Sequence, residues 1–291
     1  MSSLKVLSTL AALRQQVKAW KQQSLRVGFV PTMGYLHEGH ISLVHLAHQH
    51  SDRVIVSVYV NPTQFGPNED LDQYPRDLEG DQAKIEQAGA HALFYPKDSV
   101  MYPDNAQTFV KVKDLSQPLC GVNRPVHFQG VATVVTKLFN AVQPDVAVFG
   151  EKDYQQLQVI RQMTQDLLFE VEILGGDIVR EPDGLAMSSR NAYLNTEQRQ
   201  AATCLSRALR AARKLYAEGE RSAEALLQTA QDIVNQVSAA QTQYIELRDA
   251  TKLQPVTQEA QATDRMFLAV LVGSTRLIDN APLAGPTGLD K

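Results

Sequence analysis

The sequence predicts an α/β protein in which a parallel β-sheet domain is followed by a smaller C-terminal α+β domain. Short segments that are almost wholly apolar alternate with helical patterns, as expected for parallel strands buried on both faces. Two of these segments run through a glycine-containing turn into a helix, a connection typical of open α/β sheets. After Asn191 the composition shifts to helical stretches rich in Ala, Arg and Gln, followed by further strand patterns.

The elements of the first domain follow from apolar spacing, taken in chain order. Leu10, Leu13, Val17 and Trp20 recur at helical spacing and predict the first helix. Apolar runs, mostly β-branched or aromatic, predict strands at 27–30, 54–60, 92–95, 146–149 and 170–174. Patterns between these strands predict helices at 41–47, 78–88, 131–142 and 154–168. Strands that alternate with helices in this way form βαβ units, so we expect the sheet to be parallel.

The second domain has a different pattern. Helices are predicted at 196–217 and 222–239, and strands at 244–247, 265–272 and 275–278. The end of the chain, 281–291, is expected to be disordered. We therefore place a domain boundary between residues 186 and 187, which gives domains 1–186 and 187–291.

Composition narrows the class of protein. The chain has 291 residues, of which 44% are hydrophobic, so a sizeable core is expected. Its net charge of −4 argues against a protein that binds nucleic acid mainly by electrostatics. Cys120 and Cys204 belong to no motif, which favours a reducing compartment and excludes a disulfide framework. Residues 1–21 lack the apolar core of a signal peptide, and no run approaches the ~18 apolar residues that span a bilayer. We expect a cytoplasmic protein with no membrane partner.

The segment 31–40, PTMGYLHEGH, connects the first of these sheet strands to a helix and is the chief functional motif. The free N–H groups and the dipole at the N-terminus of a helix favour phosphate. Gly34 permits close backbone approach, and Gly39 leaves space where the helix begins. His37 and His40 are three residues apart and are expected to share a helix face. Two imidazoles at a phosphate-binding helix end indicate stabilisation of a transferring phosphoryl group.

The histidines have other interpretations. A single histidine is usually a satisfied core or surface residue, and this is our interpretation of the nearby His45, His48 and His50. The pair His37 and His40 would also suit zinc. Since no cysteine or further histidine lies at ligand spacing, we predict no metal site built by the protein.

Three further loops carry polar residues suited to a substrate with charged or hydroxyl groups. Asn61 and Gln64 follow the second of the predicted sheet strands and are neutral amides that can bind a hydroxyl or a carboxylate. Lys152 lies beside a helix start and can hold a phosphate oxygen, although a solvated charged turn is the alternative; Gln156 follows one helical turn later. The hydroxyls and guanidinium of 188–190 suit a mobile phosphate clamp.

Four segments together resemble one family: PTMGYLHEGH, NPTQFGPNEDLDQYPRD, FGEKDYQQL and DGLAMSSRN. In this order and spacing they are similar to the pantothenate synthetase (pantoate–β-alanine ligase) family of coenzyme A biosynthesis, in the HIGH-motif nucleotidyltransferase superfamily. The similarity runs from about Ser24 to Leu194 and continues weakly to about Asp279. Residues 188–190 stand where related synthetases carry a Lys-Met-Ser-Lys-Ser loop.

This resemblance implies a fold and a reaction. The fold is a Rossmann-like catalytic domain that binds ATP and pantoate, with a small C-terminal lid domain, in a homodimer. The reaction is (R)-pantoate + β-alanine + ATP → (R)-pantothenate + AMP + diphosphate, with Mg²⁺, through a pantoyl adenylate. The pantoate carboxylate attacks the α-phosphorus, and the β-alanine amine then attacks the adenylate.

The resemblance also implies roles for residues of this chain. His40 matches the named catalytic residue, and His37, Lys152 and Arg190 can neutralise charge on the phosphates. ATP contacts are implied for Met33, Gly34, Tyr35, Leu36, His37, Glu38, Gly39, His40, Gly150, Glu151, Lys152, Asp153, Val179, Met187, Ser188, Ser189 and Arg190.

The resemblance further implies that side chains with neutral amides bind pantoate and β-alanine. Residues matching Gln64 and Gln156 hold pantoate in this family, and Gln64 also lies beside β-alanine. Val126 and Gln129 stand where Gly and Arg are common, so no role is carried over to residue 129.

Two other functions are open at the level of sequence. A nucleotidyltransferase that uses another acid or a nucleotide as acceptor would share the histidine motif but would not need both Gln64 and Gln156. A nucleotide-sensing module would bind ATP without turnover and would be favoured if His40, Lys152 or Arg190 were missing, and all three are present.

Overall fold

A computed structural model of the protein describes residues 4–67 and 69–290, which pack as two compact units that we describe separately. Unit one comprises the described residues up to Gln117, with Gly121–Gly150 and Gln156–Gly176. Unit two comprises Pro118–Cys120, Glu151–Gln155 and the described residues from Asp177 onward. The predicted domain boundary between residues 186 and 187 stays a prediction.

The predicted helices and strands are present in the predicted order. A strand at Lys5–Leu7 and short helices at Asp98–Met101 and Cys120–Asn123 were not predicted, and the predicted helix 196–217 is divided in two at Thr203. The strands are β1 Lys5–Leu7, β2 Val27–Thr32, β3 Arg53–Val58, β4 Ala92–Phe94, β5 Val146–Gly150, β6 Glu172–Gly176, β7 Ala240–Arg248, β8 Arg265–Val272 and β9 Thr275–Pro282. The helices are α1 Leu10–Lys21, α2 Glu38–His50, α3 Leu78–Gln87, α4 Asp98–Met101, α5 Cys120–Asn123, α6 His127–Val142, α7 Tyr154–Asp166, α8 Thr196–Ala202, α9 Cys204–Ala217 and α10 Ala223–Asn235. Short 3₁₀ turns lie at Pro62–Gln64, Glu151–Asp153, Ser189–Tyr193 and Gly288–Asp290. None of the helices in the described part of the chain is both long and apolar enough to cross a bilayer.

Unit one is organised around a parallel sheet. Among the described residues, six strands lie in the order β1-β4-β3-β2-β5-β6, and every neighbouring pair is parallel. This confirms the predicted Rossmann-like α/β fold class. Chain order reverses between β2 and β5, because β3 and β4 continue on one side and β6 on the other. At such a reversal, α/β proteins bind ligands beyond the carboxyl ends of the strands.

Both faces of this sheet are covered. Val30, Val54 and Val56 pack with apolar residues of α2 and α3 in one core cluster. Phe29 and Ile55 alternate with them, point to the opposite face and are fully buried. Helices α1 and α6 contact β2 and each other. Coverage of both faces explains why the strands read as continuous apolar runs.

Unit two packs helices against an antiparallel sheet in the order β7-β8-β9. Leu205 and Leu209 of α9 and Leu226 of α10 share one core with Leu268 and Val270 of β8. This confirms the predicted smaller α+β domain.

The end of the chain has regular structure as far as it is described, so the expectation of disorder over 281–291 is wrong there. Strand β9 continues to Pro282 instead of ending at residue 278, and Leu283 and Leu289 are buried in the core of unit two. These two leucines stabilise the segment despite its two glycines and two prolines. Lys291 lies outside the described residues.

Candidate active site

The segment after β2 makes a tight turn before α2. Gly34 has a φ of +88°, in the left-handed region that favours glycine. A Cβ atom at this position would lie 2.9 Å from Oδ2 of Asp81 and 3.0 Å from Cγ1 of Val58. Both the backbone conformation and the close approach therefore require glycine here.

A buried carboxylate from α3 holds this turn. Asp81 is 1% exposed and accepts hydrogen bonds from the backbone N–H of Tyr35 at 2.8 Å and of Leu36 at 2.6 Å. Nζ of Lys84 donates to the carbonyl of Leu36 at 2.7 Å. Burial raises the pKa of Asp81, and the two N–H donors oppose that rise. Asp81 was not predicted as a site residue, because it lies in a polar helical pattern without a motif.

His37 and His40 form a reciprocal cap at the start of α2. Nδ1 of His37 accepts from the N–H of Gly39 at 3.2 Å, and Nδ1 of His40 accepts from the N–H of His37 at 3.3 Å. His37 is the N-cap with extended backbone and lies just before the first helical residue, and the two side chains still share one face of the helix start, as expected. Their ring centroids are 4.1 Å apart.

This capping fixes the tautomer of both rings. A ring nitrogen that accepts a hydrogen bond carries no proton, so each neutral imidazole carries its proton on Nε2. The backbone thus orients His37 and His40 as two Nε2–H donors. Paired donors of this kind can stabilise negative charge that develops on a phosphoryl group.

Gln64 is held beside the histidine segment within unit one. It is 7% exposed, and its Nε2 donates to Sδ of Met33 at 2.9 Å. Its Oε1 accepts from Nδ2 of Asn61 at 3.1 Å. A Cβ on Gly130 of α6 would lie 2.4 Å from the carbonyl oxygen of Thr63, so glycine is needed where α6 crosses this turn. The structure therefore brings together Met33 and Gln64, which the sequence analysis assigned to ATP and pantoate.

Arg124 and His127 also converge on Gln64. Nδ1 of His127 lies 2.9 Å from the carbonyl oxygen of Gln64, and Arg124 donates to the same oxygen at 3.3 Å. Arg124 also forms a two-point ion pair with Glu69, with Nε to Oε1 at 2.9 Å. Burial opposes ionisation of Glu69, but the hydrogen bond and charge of Arg124 outweigh it and hold the pKa of Glu69 below its ordinary value. In the sequence, Arg124 and His127 are recognisable only as possible cations, and nothing indicates that they contact Gln64 or Glu69.

In unit two, the Lys152 turn, which we define as Glu151–Asp153, is held by side chains from the antiparallel sheet. Nδ2 of Asn280 donates to the carbonyl oxygens of Glu151 at 3.0 Å and of Lys152 at 2.9 Å. Arg265 donates to Oε2 of Glu151 at 2.9 Å. Nζ of Lys152 lies 3.5 Å from Oδ2 of Asp153. The turn is thus a structured element and not a loosely solvated charged loop.

The Ser188–Arg190 segment of unit two follows a short hairpin. Met187 N–H donates to the carbonyl of Val179 at 3.0 Å, and Arg180 pairs with Ala186 in an isolated antiparallel bridge. Ser188 caps the following 3₁₀ turn, since its side chain accepts from the N–H of Arg190 at 3.3 Å. The predicted clamp residues therefore begin a structured turn.

The predicted site residues are divided between the units. Unit one holds 33–40, Gln64, Gly150 and Gln156; unit two holds Glu151–Asp153, Val179 and 187–190. Gln156 is half-buried on α7, and Gln129 is half-buried on α6. The described residues contain no group of three or more His, Cys, Asp or Glu side chains that could hold a metal ion.

The known proteins that resemble this chain match it over almost its whole length and share one description. A family model described as pantoate-beta-alanine ligase matches residues 5–282. The chain is 54% identical over 281 residues to the pantothenate synthetase of Trichlorobacter lovleyi, which covers 96% of this chain and 99% of that protein. It is 52% identical over 282 residues to the pantothenate synthetase of Myxococcus xanthus, with 96% of each chain covered.

Solved structures show the same fold. A pantothenate synthetase from Thermus thermophilus superposes with a TM-score of 0.91 at 44% identity, covering 97% of this chain and 100% of that one. A pantoate-beta-alanine ligase from Francisella tularensis, complexed with beta-gamma ATP and beta-alanine, superposes with a TM-score of 0.78 at 33% identity, covering 98% and 100%.

Proposed function

The chain belongs to the pantoate–β-alanine ligase family, and from this premise we propose that it condenses (R)-pantoate with β-alanine. ATP is the second substrate, and AMP and diphosphate are released. The observation that carries the proposal is the family match over residues 5–282. The backbone-fixed pair of Nε2–H donors at His37 and His40 supports it, because that pair suits phosphoryl transfer.

The first step forms a pantoyl adenylate. A carboxylate oxygen of pantoate attacks the α-phosphorus in line, the bond from that phosphorus to the bridging oxygen breaks, and diphosphate leaves. Phosphoryl transfer depends mainly on positioning and on charge stabilisation. We assign charge stabilisation to the catalytic residues His40, His37, Lys152 and Arg190.

The second step forms the amide. The amine of β-alanine attacks the carbonyl carbon of the adenylate, the carbon–oxygen bond to AMP breaks, and the amine releases a proton to solvent. We assign pantoate to Gln64 and Gln156, and β-alanine also to Gln64. A neutral amide suits this task, because it can hold a carboxylate without the strong ion pairing that would reduce its nucleophilicity.

We assign ATP to the histidine segment, the Lys152 turn and the Ser188–Arg190 segment. The proposed ATP-binding residues are Met33, Gly34, Tyr35, Leu36, His37, Glu38, Gly39, His40, Gly150, Glu151, Lys152, Asp153, Val179, Met187, Ser188, Ser189 and Arg190.

Magnesium enters this proposal as part of the MgATP substrate. Mg²⁺ commonly takes one or two carboxylates and fills its other positions with phosphate oxygens and water. The described residues offer no cluster of three or more ligands, which fits an ion carried mainly by the triphosphate.

We further propose a homodimer located in the cytoplasm. Light scattering of the purified protein tests the dimer.

The order of chemistry is tested by isotope exchange. With pantoate and Mg²⁺ present and β-alanine absent, labelled diphosphate should exchange into ATP, because adenylation needs only the first two substrates. Addition of β-alanine should then yield pantothenate and AMP, measured by HPLC.

Each alternative gives a different result in this assay. Exchange without pantoate would indicate an adenylate on the enzyme, and exchange that requires β-alanine would indicate a concerted reaction. Exchange with other acids in preference to pantoate would identify a different acceptor. ATP binding with no exchange under any condition would favour the nucleotide-sensing module.

A further inference from the structure

Two consecutive polar residues of β9 are buried in unit two. Asp279 and Asn280 are each 2% exposed, near the end of a strand whose neighbours Leu277 and Ala281 belong to the apolar core. Successive side chains of a strand point to opposite faces, so the two residues reach different parts of the unit. Buried polar groups persist only where hydrogen bonds compensate for lost water, and the partners of this pair are informative.

Asn280 reaches the Lys152 turn. Its Nδ2 donates to two successive backbone carbonyls, that of Glu151 at 3.0 Å and that of Lys152 at 2.9 Å. A 3₁₀ turn of three residues has few hydrogen bonds of its own. Those it has join residues i and i+3, and their geometry is poorer than in an α-helix. An amide that donates to both carbonyls therefore fixes the direction of the backbone through the turn.

Arg265 of β8 completes this support. Its guanidinium donates to Oδ1 of Asn280, which fixes the amide orientation with Nδ2 toward the turn. It also donates to Oε2 of Glu151 at 2.9 Å and stacks on the ring of Tyr154 at 3.8 Å. The backbone around Lys152 is thus restrained, and the contact from Nζ of Lys152 to Oδ2 of Asp153 at 3.5 Å lies within the same turn.

Asp279 reaches the other proposed phosphate loop. Its two carboxylate oxygens accept from Arg180 at 2.6 and 2.9 Å, and both side chains are almost fully buried. Nη1 of Arg180 also donates to the carbonyl of Gly184 at 3.1 Å. Arg180 lies at the base of the hairpin that leads into Ser188, so the ion pair sets where that segment begins.

We propose that Asp279 and Asn280 are positioning residues, with Asn280 orienting the Lys152 turn and Asp279 orienting the Ser188–Arg190 segment. One strand thereby fixes the two loops that carry the proposed phosphate-binding cations. The inference rests on the proposed function for the role of those cations. It extends that function to two residues that contact the loops only through backbone or through Arg180.

The test is a set of crossed double-mutant cycles, read by the binding of β,γ-imido-ATP in calorimetry and by the KM for ATP in diphosphate exchange. Asn280→Asp keeps shape and removes both donated bonds, so ATP affinity should fall about 10-fold. In a Lys152→Ala background the same change should have less than about a 3-fold effect, because the group it orients is gone. In an Arg190→Ala background the full effect should remain.

Asp279→Asn should also lower ATP affinity, but with the opposite dependence on background. Its effect on ATP affinity should be lost in an Arg190→Ala background and retained in a Lys152→Ala background. If that variant does not fold, Arg180→Lys takes its place in the same cycle, since it keeps the charge and loses the bidentate fork. Asn235→Asp, the same chemical change at an exposed site of α10, is the matched control and should leave ATP affinity unchanged.

The outcomes separate this inference from the function on which it rests. Additive effects in every background would overturn the positioning role, because a merely structural loss would not depend on Lys152 or Arg190. Absence of pantoate-dependent exchange in the wild-type protein would overturn the proposed function. The calorimetric cycles do not use pantoate and still report the positioning role in that case.

Discussion

The two units hold their proposed site residues in contrasting ways. In unit one, the side chains of His37 and His40 are fixed by partners two or three positions away in the chain, and Gln64 has one partner of this kind, Asn61, besides the more distant Met33. In unit two, the Lys152 turn is fixed by a residue 128 positions away, and the hairpin base by one 99 positions away. Local supports form with the helix or turn that carries them, whereas distant supports exist only once the whole unit has folded.

This contrast predicts where function is sensitive to distant change. In unit one, most of the loss should come from the site side chains themselves. In unit two, buried positions on β9 should matter as well. The following substitutions test the first half of this comparison, from the largest expected effect to the smallest.

His40→Ala should reduce turnover by about 10²- to 10³-fold, the scale for removing one preoriented donor from developing charge. Loss of its cap to the His37 N–H should cost only about 1 kcal/mol of folding free energy. Steady-state kinetics with a thermal melt measure both. His45→Ala, on the exposed side of the same helix, is the control and should retain normal turnover. A His40→Ala variant that kept more than a third of the wild-type rate would remove His40 from the catalytic assignment.

Gln64→Ala should damage pantoate use more than ATP use. Removing a buried amide from a hydrogen-bonded pair typically costs ~1–3 kcal/mol, which should appear mainly in the KM for pantoate. Initial rates at varied pantoate and varied ATP separate the two effects. Gln15→Ala at an exposed site of α1 provides the control. Equal losses for both substrates would indicate general disruption of the site and would weaken the claim of local support.

Glu69→Gln tests a contact between distant segments inside unit one. Because the pKa of Glu69 is held below its ordinary 4.5, its ion pair with Arg124 stabilises the protein above that pH and loses this contribution as pH falls through the lowered value. The variant should therefore unfold more easily near neutral pH, by about 1 kcal/mol or less for a partly exposed pair, and the difference should vanish in acid. Urea unfolding across this pH range measures it. A difference independent of pH would exclude the ion pair as its source.

The same contrast explains what the sequence predicted. The parallel sheet was predictable because strands buried on both faces leave continuous apolar runs. The cap formed by His37 and His40 lies in a segment that the sequence could single out, because its members are close together in the chain. Asp81 and Asn280 were missed, since each acts on a backbone far away in sequence and neither belongs to a motif.

Errors at the chain ends have a related cause. Strand β1, Lys5–Leu7, has only three residues, too few to show a period, and it is defined by pairing with β4. The segment after Ala281 has turn-forming residues, yet Leu283 and Leu289 pack into a core that includes residues of α9, α10 and β8. Two consecutive polar residues that follow the apolar pair Leu277 and Ile278, as Asp279 and Asn280 do, are a sequence signal for such distant supports.

The reciprocal cap at His37 and His40 gives the site a built-in spectroscopic reporter. The backbone amides of His37 and Gly39 donate to the two Nδ1 atoms, so their proton chemical shifts and hydrogen-exchange rates depend on the electronic state of each ring. A ligand that draws on Nε2–H changes the electron density at Nδ1 of the same imidazole. Two main-chain NMR signals should therefore report the binding of any ligand to these Nε2–H groups, without a label on the ligand or any substitution in the protein.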